Sequence, residues 1–174
     1  AVLCGLAPHM EKLKGKVGVD FVLFDGEELV YDSNRDPFFL GSTHFAREYV
    51  AMPPSYRYEA GILLDMVGDA NLQIYQEINS RRFAPQLIQQ FWATARRINV
   101  KEFYAQTRHE VRDDHLPLNE IAKIPTIDII DFDYPSARHR ETYWHTTEDT
   151  PDKCSAVSLA HVGCVTLAWL QSIQ

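Results

Sequence analysis

The chain has 174 residues, of which 45% are apolar and 24% charged, and its formal net charge is −7. That length suits one domain with a sizeable core and is short for two. The acidic balance, with no basic stripe matched to phosphates, argues against a non-specific nucleic-acid binder, and no apolar run is long enough to span a bilayer.

In chain order, residues 1–14 (AVLCGLAPHMEKLK) read as an amphipathic helix weakened by Gly5 and Pro8. The sequence opens inside that helix, with no signal peptide or capping residue ahead of it. The expectation is therefore a single domain over residues 1–174 that is incomplete at its N-terminus. Residues 18–25, GVDFVLFD, are a near-continuous apolar run that predicts a strand buried on both faces. The long polar loop YDSNRDPFFLGS follows, and Ser42 is placed to cap the helix THFAREYVA. Pro53 and Pro54 end that helix, EAGILLDMVG (59–68) predicts a second buried strand, and NLQIYQE predicts a short one. Phe83, Leu87, Ile88, Phe91, Trp92 and Ala95 recur at helical spacing and predict a helix over 80–98, with Arg96 and Arg97 suited to its C-terminus.

The polar stretch QTRHEVRDDHLPLNE then leads into a third buried strand, IPTIDIIDFD. Residues 134–153 read as loop, and a closing helix over 153–172 carries Val157, Leu159, Val162, Val165, Leu167 and Leu170. Helices alternating with apolar strands imply an α/β sandwich. Cys4, Cys154 and Cys164 are odd in number and lack metal-ligand spacing. The latter two fall ten residues apart on one expected helix, too far to pair, and all three read as buried thiols.

The acids follow a pattern. Each core strand runs into carboxylates or imidazoles at its C-terminal end: Asp25, Glu27 and Glu28 after the first, Asp65 and Asp69 after the second, Tyr134 and then His145 after the third. Asp113, Asp114 and His115 lie between the last two. Ligand sites in α/β sheets form outside the carboxyl ends of strands, and converging carboxylates with a histidine suit a divalent metal; a mixed nitrogen and oxygen set suits Zn²⁺. Glu27 and Glu28 alone are better explained as a solvated strand end, and Asp114 as the cap of the helix LPLNEIAK. Asp65, inside an apolar strand, is harder to dismiss, because an unpaired buried carboxylate is costly. His9, His44, His109, His139 and His161 read as surface or core residues. The chain carries no Gly-x-Ser-x-Gly elbow, phosphate-binding glycine loop or His-Glu-x-x-His motif.

FDGEE, LLDMVGD, DDHLP with IPTIDIID, and YWHTTEDTPDK, in that order, resemble the M28 family of zinc peptidases and glutaminyl cyclases, from about residue 17 to the C-terminus. The resemblance implies a three-layer sandwich with a mixed, mostly parallel central sheet flanked by helices, zinc aminopeptidase-like and lacking the N-terminal strands. It implies Glu27 as general acid/base, Glu28 and His145 as zinc ligands, and Asp65 as a second-zinc ligand in the peptidases or a hydrogen-bonded acid in the cyclases. Asp113 falls where the cyclases carry an active-site aspartate, and Trp144 and Tyr134 where substrate is lined. The family's upstream His-x-Asp and zinc-binding Asp have no counterpart, so two ligands remain and this chain is expected to hold zinc weakly.

The implied reaction takes place at a peptide or protein N-terminus. It is cyclisation of N-terminal glutamine with release of ammonia on one zinc, or hydrolysis of the first peptide bond on two; a non-catalytic member is the third reading. The longer segment after GEE and the extra carboxylate at Asp113 lean toward the cyclase. The absence of a tryptophan at about Ser33 leans away from it. The family's members are often exported, which favours a periplasmic or extracellular location.

Overall fold

All five residues of strand β4 (Thr126–Ile130) are buried, in a computed structural model that describes residues 1–15, 17–32, 34–133 and 143–173. β4 pairs in parallel with β1 (Gly61–Asp65), Gly61 opposite Thr126 and Asp65 opposite Ile130. Successive strand side chains point to opposite faces. Ile127 and Ile129 accordingly join one core with Phe91, Trp92, Val162, Val165 and Trp169. Thr126 and Asp128 belong to the other face, where Asn119 pairs with the Thr126 backbone in both directions, at 2.9 and 3.0 Å.

A second parallel pair, β2 (Ile74–Gln76) and β3 (Phe103–Thr107), lies beside β4. Helices α4 (Pro85–Arg97) and α6 (Ala156–Ser172) cover the first core, and α1 (Val2–Met10) packs on α6. Helices α2 (Leu40–Ala51) and α5 (His115–Glu120) enclose a smaller core of Ala46, Leu118, Ala122 and Ile124. Parallel strands between helical layers make this the expected α/β sandwich. None of its helices, among the described residues, is long and apolar enough to cross a membrane.

Residues 18–25 depart from expectation. They carry no strand pairing among the described residues, and Val22 and Leu23 are 38% and 84% exposed. An apolar run becomes a doubly buried strand only when neighbours pair with it on both sides, and here none does. The segment is held instead by side chains: Phe24 meets Phe45 edge-on at 5.7 Å, and Tyr58 donates to Asp20 at 2.7 Å.

The helix expected over 80–98 is two helices, α3 (Ile78–Phe83) and α4. Pro85 forces Ala84 out of helical geometry (φ −135°, ψ 55°) and then opens α4 itself. Ser42 does not cap α2, whose N-cap is Phe39, and Asp114 makes no side-chain cap on α5. The closing helix starts later than expected, with Ser155 capping it through the N–H groups of Val157 and Ser158. Cys154 therefore precedes α6, and Cys4, Cys154 and Cys164 are all exposed free thiols rather than buried ones. Ser33, Tyr134 and His139 lie outside the described residues.

Candidate functional site

Gly26 has φ +65°, a left-handed conformation open to glycine at little cost, and it turns the chain between Asp25 and Glu27. The turn is fastened to the start of α2. The Phe39, Leu40 and Gly41 N–H groups donate to the carbonyls of Glu27, Gly26 and Asp25 at 3.2, 3.4 and 2.8 Å. Helix N-termini leave such donors unpaired, so the acid-bearing turn serves as the helix cap. Gly41 permits this approach: a Cβ there would lie 2.5 Å from Asp25 N and 2.6 Å from Asp25 O.

Asp65 ends β1 and is followed by Met66 at φ +50°, unusual for a long side chain. Phe39 and His145 share this conformation at φ +59° and +58°, all three flanking the site acids. Strained backbone of this kind clusters at functional sites. Asn99 and Lys123, also left-handed, follow the ends of α4 and α5, where such residues commonly close a helix.

The acids converge. Asp65 and Asp113 lie near enough for each carboxyl group to shift the other's ionisation. Asp114 accepts from Ser42 Oγ at 2.5 Å, and its N–H donates to Asp113 at 2.6 Å. Burial pushes Asp113 up to about 7, with repulsion from Asp65, Asp114 and Glu27 adding to it. Burial also raises Asp65, Asp114 and Glu27; Glu28, Asp114 and Asp65 raise Glu27 further, while His145 opposes them. A carboxyl group near neutrality is matched to proton transfer at physiological pH.

Glu28 and His145 meet directly, Oε1 to Nε2 at 2.6 Å, with their side chains 64% and 58% exposed. Trp144 lies over His145, ring centroids 4.2 Å apart, and meets Phe132 edge-on at 5.1 Å. The pair fits zinc in kind, one carboxylate oxygen and one imidazole nitrogen, but in number it is two donors of the three or four that a catalytic site uses. Among the described residues no group of three or more His, Cys, Asp or Glu is placed to hold a metal ion. These residues line a groove of about 2320 Å³ that continues along residues 17–24, α1 and β1. It is far larger than the ~300–1,000 Å³ of a typical small-ligand pocket, so the site is one end of the groove rather than the whole of it.

The expected residues Glu27, Glu28, Asp65, Asp113, Trp144 and His145 thus line one groove, and Tyr134 lies outside the described residues. Two buried acids beside this cluster, Glu77 and Asp128, escaped the sequence reading. Asp128 carried the same signal as Asp65, an acid inside an apolar strand.

A family model for Peptidase family M28 matches residues 1–170. Among solved structures, the chain is 39% identical to a glutaminyl cyclase of Fimbriiglobus ruber, covering 99% of this chain and 58% of that one, with a TM-score of 0.87. It is 31% identical to a Porphyromonas gingivalis glutaminyl cyclase (99% and 60% covered, TM-score 0.86). It is 30% identical to a Zn-dependent exopeptidase from Parabacteroides distasonis (98% and 60% covered, TM-score 0.84). The chain therefore spans about three fifths of the length of these structures. No curated protein sequence matches it.

Proposed function

The chain belongs to peptidase family M28, and from that premise we propose that the protein is a zinc-dependent glutaminyl cyclase, converting an N-terminal glutamine to pyroglutamate with release of ammonia. The observation that carries the reading is the crowding of two largely buried carboxyl groups, Asp113 being pushed up to about 7 by burial and by the neighbouring Asp65. Two buried carboxyl groups this close ionise together only at high cost, so one keeps its proton. A second metal ion on Asp65 would require that group to be ionised, so the shared proton favours the one-zinc enzyme.

Glu28 and His145 would hold the zinc ion, which supplies Lewis acidity at the reacting amide carbonyl. Glu27 takes the proton from the substrate's α-amine. The amine nitrogen then bonds to the γ-carbonyl carbon, and Glu27 returns the proton to the departing NH₂, which leaves as ammonia. Reaction within one bound substrate gives the attacking amine a high effective concentration. Trp144 forms an aromatic wall of the substrate site, and the Asp65–Asp113 pair offers its shared proton to the polar end of the substrate.

The second reading is an aminopeptidase, with Asp65 on a second zinc; the likeness to a Zn-dependent exopeptidase supports it. Incubating the full-length zinc-loaded protein with a Gln-initiated and a Leu-initiated peptide separates them by mass. Loss of ammonia from the first peptide marks the cyclase, and loss of the first residue from the second marks the peptidase. Neither change, with zinc bound, refutes both and leaves a non-catalytic member.

A further inference from the structure

Behind the acidic cluster lie three ionisable side chains to which the proposed reaction assigns no role. His115 opens α5 directly after Asp113 and Asp114, and it is fully buried, as is Asp128; Glu77 is 1% exposed. His115 Nε2 is 3.4 Å from Glu77 Oε2, and its Nδ1 is 3.9 Å from Asp128 Oδ2. Glu77 also accepts the N–H groups of Asn79, Ser80 and Val111, at 2.8, 2.5 and 3.0 Å. Its carboxylate therefore grips both ends of the short segment 111–115, through the Val111 backbone at one end and the His115 ring at the other. Asp113 and Asp114 sit inside that segment.

The side-chain oxygens of Asp128 and both ring nitrogens of His115 make no hydrogen bond of good geometry among the described residues. Four such atoms left bare in the interior would be costly. The contacts within reach are mutual: Nε2 faces Glu77 and Nδ1 faces Asp128. We propose that Glu77, His115 and Asp128 form a buried positioning clamp, which fixes the segment 111–115 so that the Asp113 and Asp114 carboxylates face Asp65 and Glu27.

The electrostatics agree with this geometry. Burial alone would raise Glu77, but the hydrogen bonds from His115, Val111, Ser80 and Asn79 outweigh it and hold the group at about 2. Burial raises Asp128 well above the ordinary carboxylate range, and Asp113, Asp65, Glu77 and Asp114 raise it further. Glu77 is thus the ionised end of the clamp, and Asp128 the end where burial favours the proton.

The kinetic arm of the test rests on the cyclase reading, and the spectroscopic arm does not. On the full-length zinc-loaded protein, Asp128→Leu removes the polar atoms but keeps the branched shape, whereas Asp128→Asn keeps a polar group facing His115 Nδ1. Supporting residues of this kind typically change activity by ~10–100-fold. The expected result is a fall of that order in kcat for Asp128→Leu and for Glu77→Gln, with KM little changed for the first. Asp128→Asn stays within about threefold of the unsubstituted protein on the same scale. Wild-type kcat in Asp128→Leu, or equal losses in the Leu and Asn variants, overturns the clamp.

In the unsubstituted protein, nitrogen-15 NMR of the His115 ring is expected to show a slowly exchanging Nε2–H. A His115 ring with no slowly exchanging N–H overturns the proposal even if every variant fails to fold. If neither peptide reacts, the cyclase reading falls, and this spectrum alone still decides the clamp.

Discussion

Gly41→Ala tests whether the turn that carries Glu27 depends on the start of α2. The new Cβ would lie 2.5 Å from Asp25 N and 2.6 Å from Asp25 O, where 3.4 Å is ordinary contact. Both neighbours are backbone atoms, so no rotamer change relieves the overlap, and the Asp25–Glu27 turn must recede by nearly 1 Å. Three hydrogen bonds tie that turn to residues 39–41, so Glu27 and Glu28 move with it. A misplacement of ~1 Å at reacting groups can cost ~10²-fold in rate. Overpacking of this kind costs ~1–3 kcal/mol, or roughly 2–12 °C in melting temperature at this chain length. Gly5→Ala is the control: nothing lies within 4 Å of the added methyl group, and the helix gains ~0.5–1 kcal/mol. Steady-state kinetics on a Gln-initiated peptide and a thermal melt, both on zinc-loaded full-length protein, read the outcome. Gly41→Ala with kcat within twofold of the unsubstituted enzyme would refute the reasoning, whatever its melting temperature.

Asp113→Asn cannot share a proton as an acid does, and loss of a proton-transfer group typically lowers kcat ~10²–10⁴-fold; an unchanged kcat on the Gln peptide would remove Asp113 from the reaction. The 174-residue chain itself, with two zinc donors, should retain well under one equivalent of zinc after dialysis, and stoichiometric metal by elemental analysis would show that other groups complete the site. Glu77 lies near 2 against an ordinary 4.5, so it contributes stability that is fully present above 4.5 and is lost as pH falls toward 2, ~3 kcal/mol by linkage. Asp113 and Asp128, both raised, act in the opposite sense: their contributions are complete below 3.8 and fade as pH rises. Urea midpoints between about pH 5 and pH 3 should therefore fall less steeply in Glu77→Gln than in the unsubstituted chain, and parallel curves would contradict the assignment.

The sequence made some elements plain because their signal was local. The apolar spacing that ends in Phe91, Trp92 and Ala95 marks α4, and the unbroken run Thr126–Ile130 marks β4. The failures came from relations that no local window contains. Residues 18–25 look like β4 in composition, yet burial depends on which strands lie alongside, and here the run is partly open. β3 was invisible because Tyr104, Ala105, Gln106 and Thr107 are exposed and offer no apolar run. Asp114 was read as a cap because it precedes a helix, and only the fold shows Ser42 reaching it from α2. Asp128 shows that the rule applied to Asp65 was sound but was applied once too few times.

The pairing of β1 with β4 also governs how the chain folds. Gly61 meets Thr126 across two intervening strands and three helices. Closing so long a loop is slow compared with forming a helix or a hairpin. Until it closes, Asp65 remains in water, far from Asp113 and Asp128, and does not feel their charge. The final docking step therefore brings sheet formation and carboxylate crowding together. Its rate should rise as the pH is lowered toward the range where these acids take up protons. In this chain the electrostatic strain of the site is concentrated in one late event, and stopped-flow refolding at graded pH would detect it as a slope in the folding rate alone.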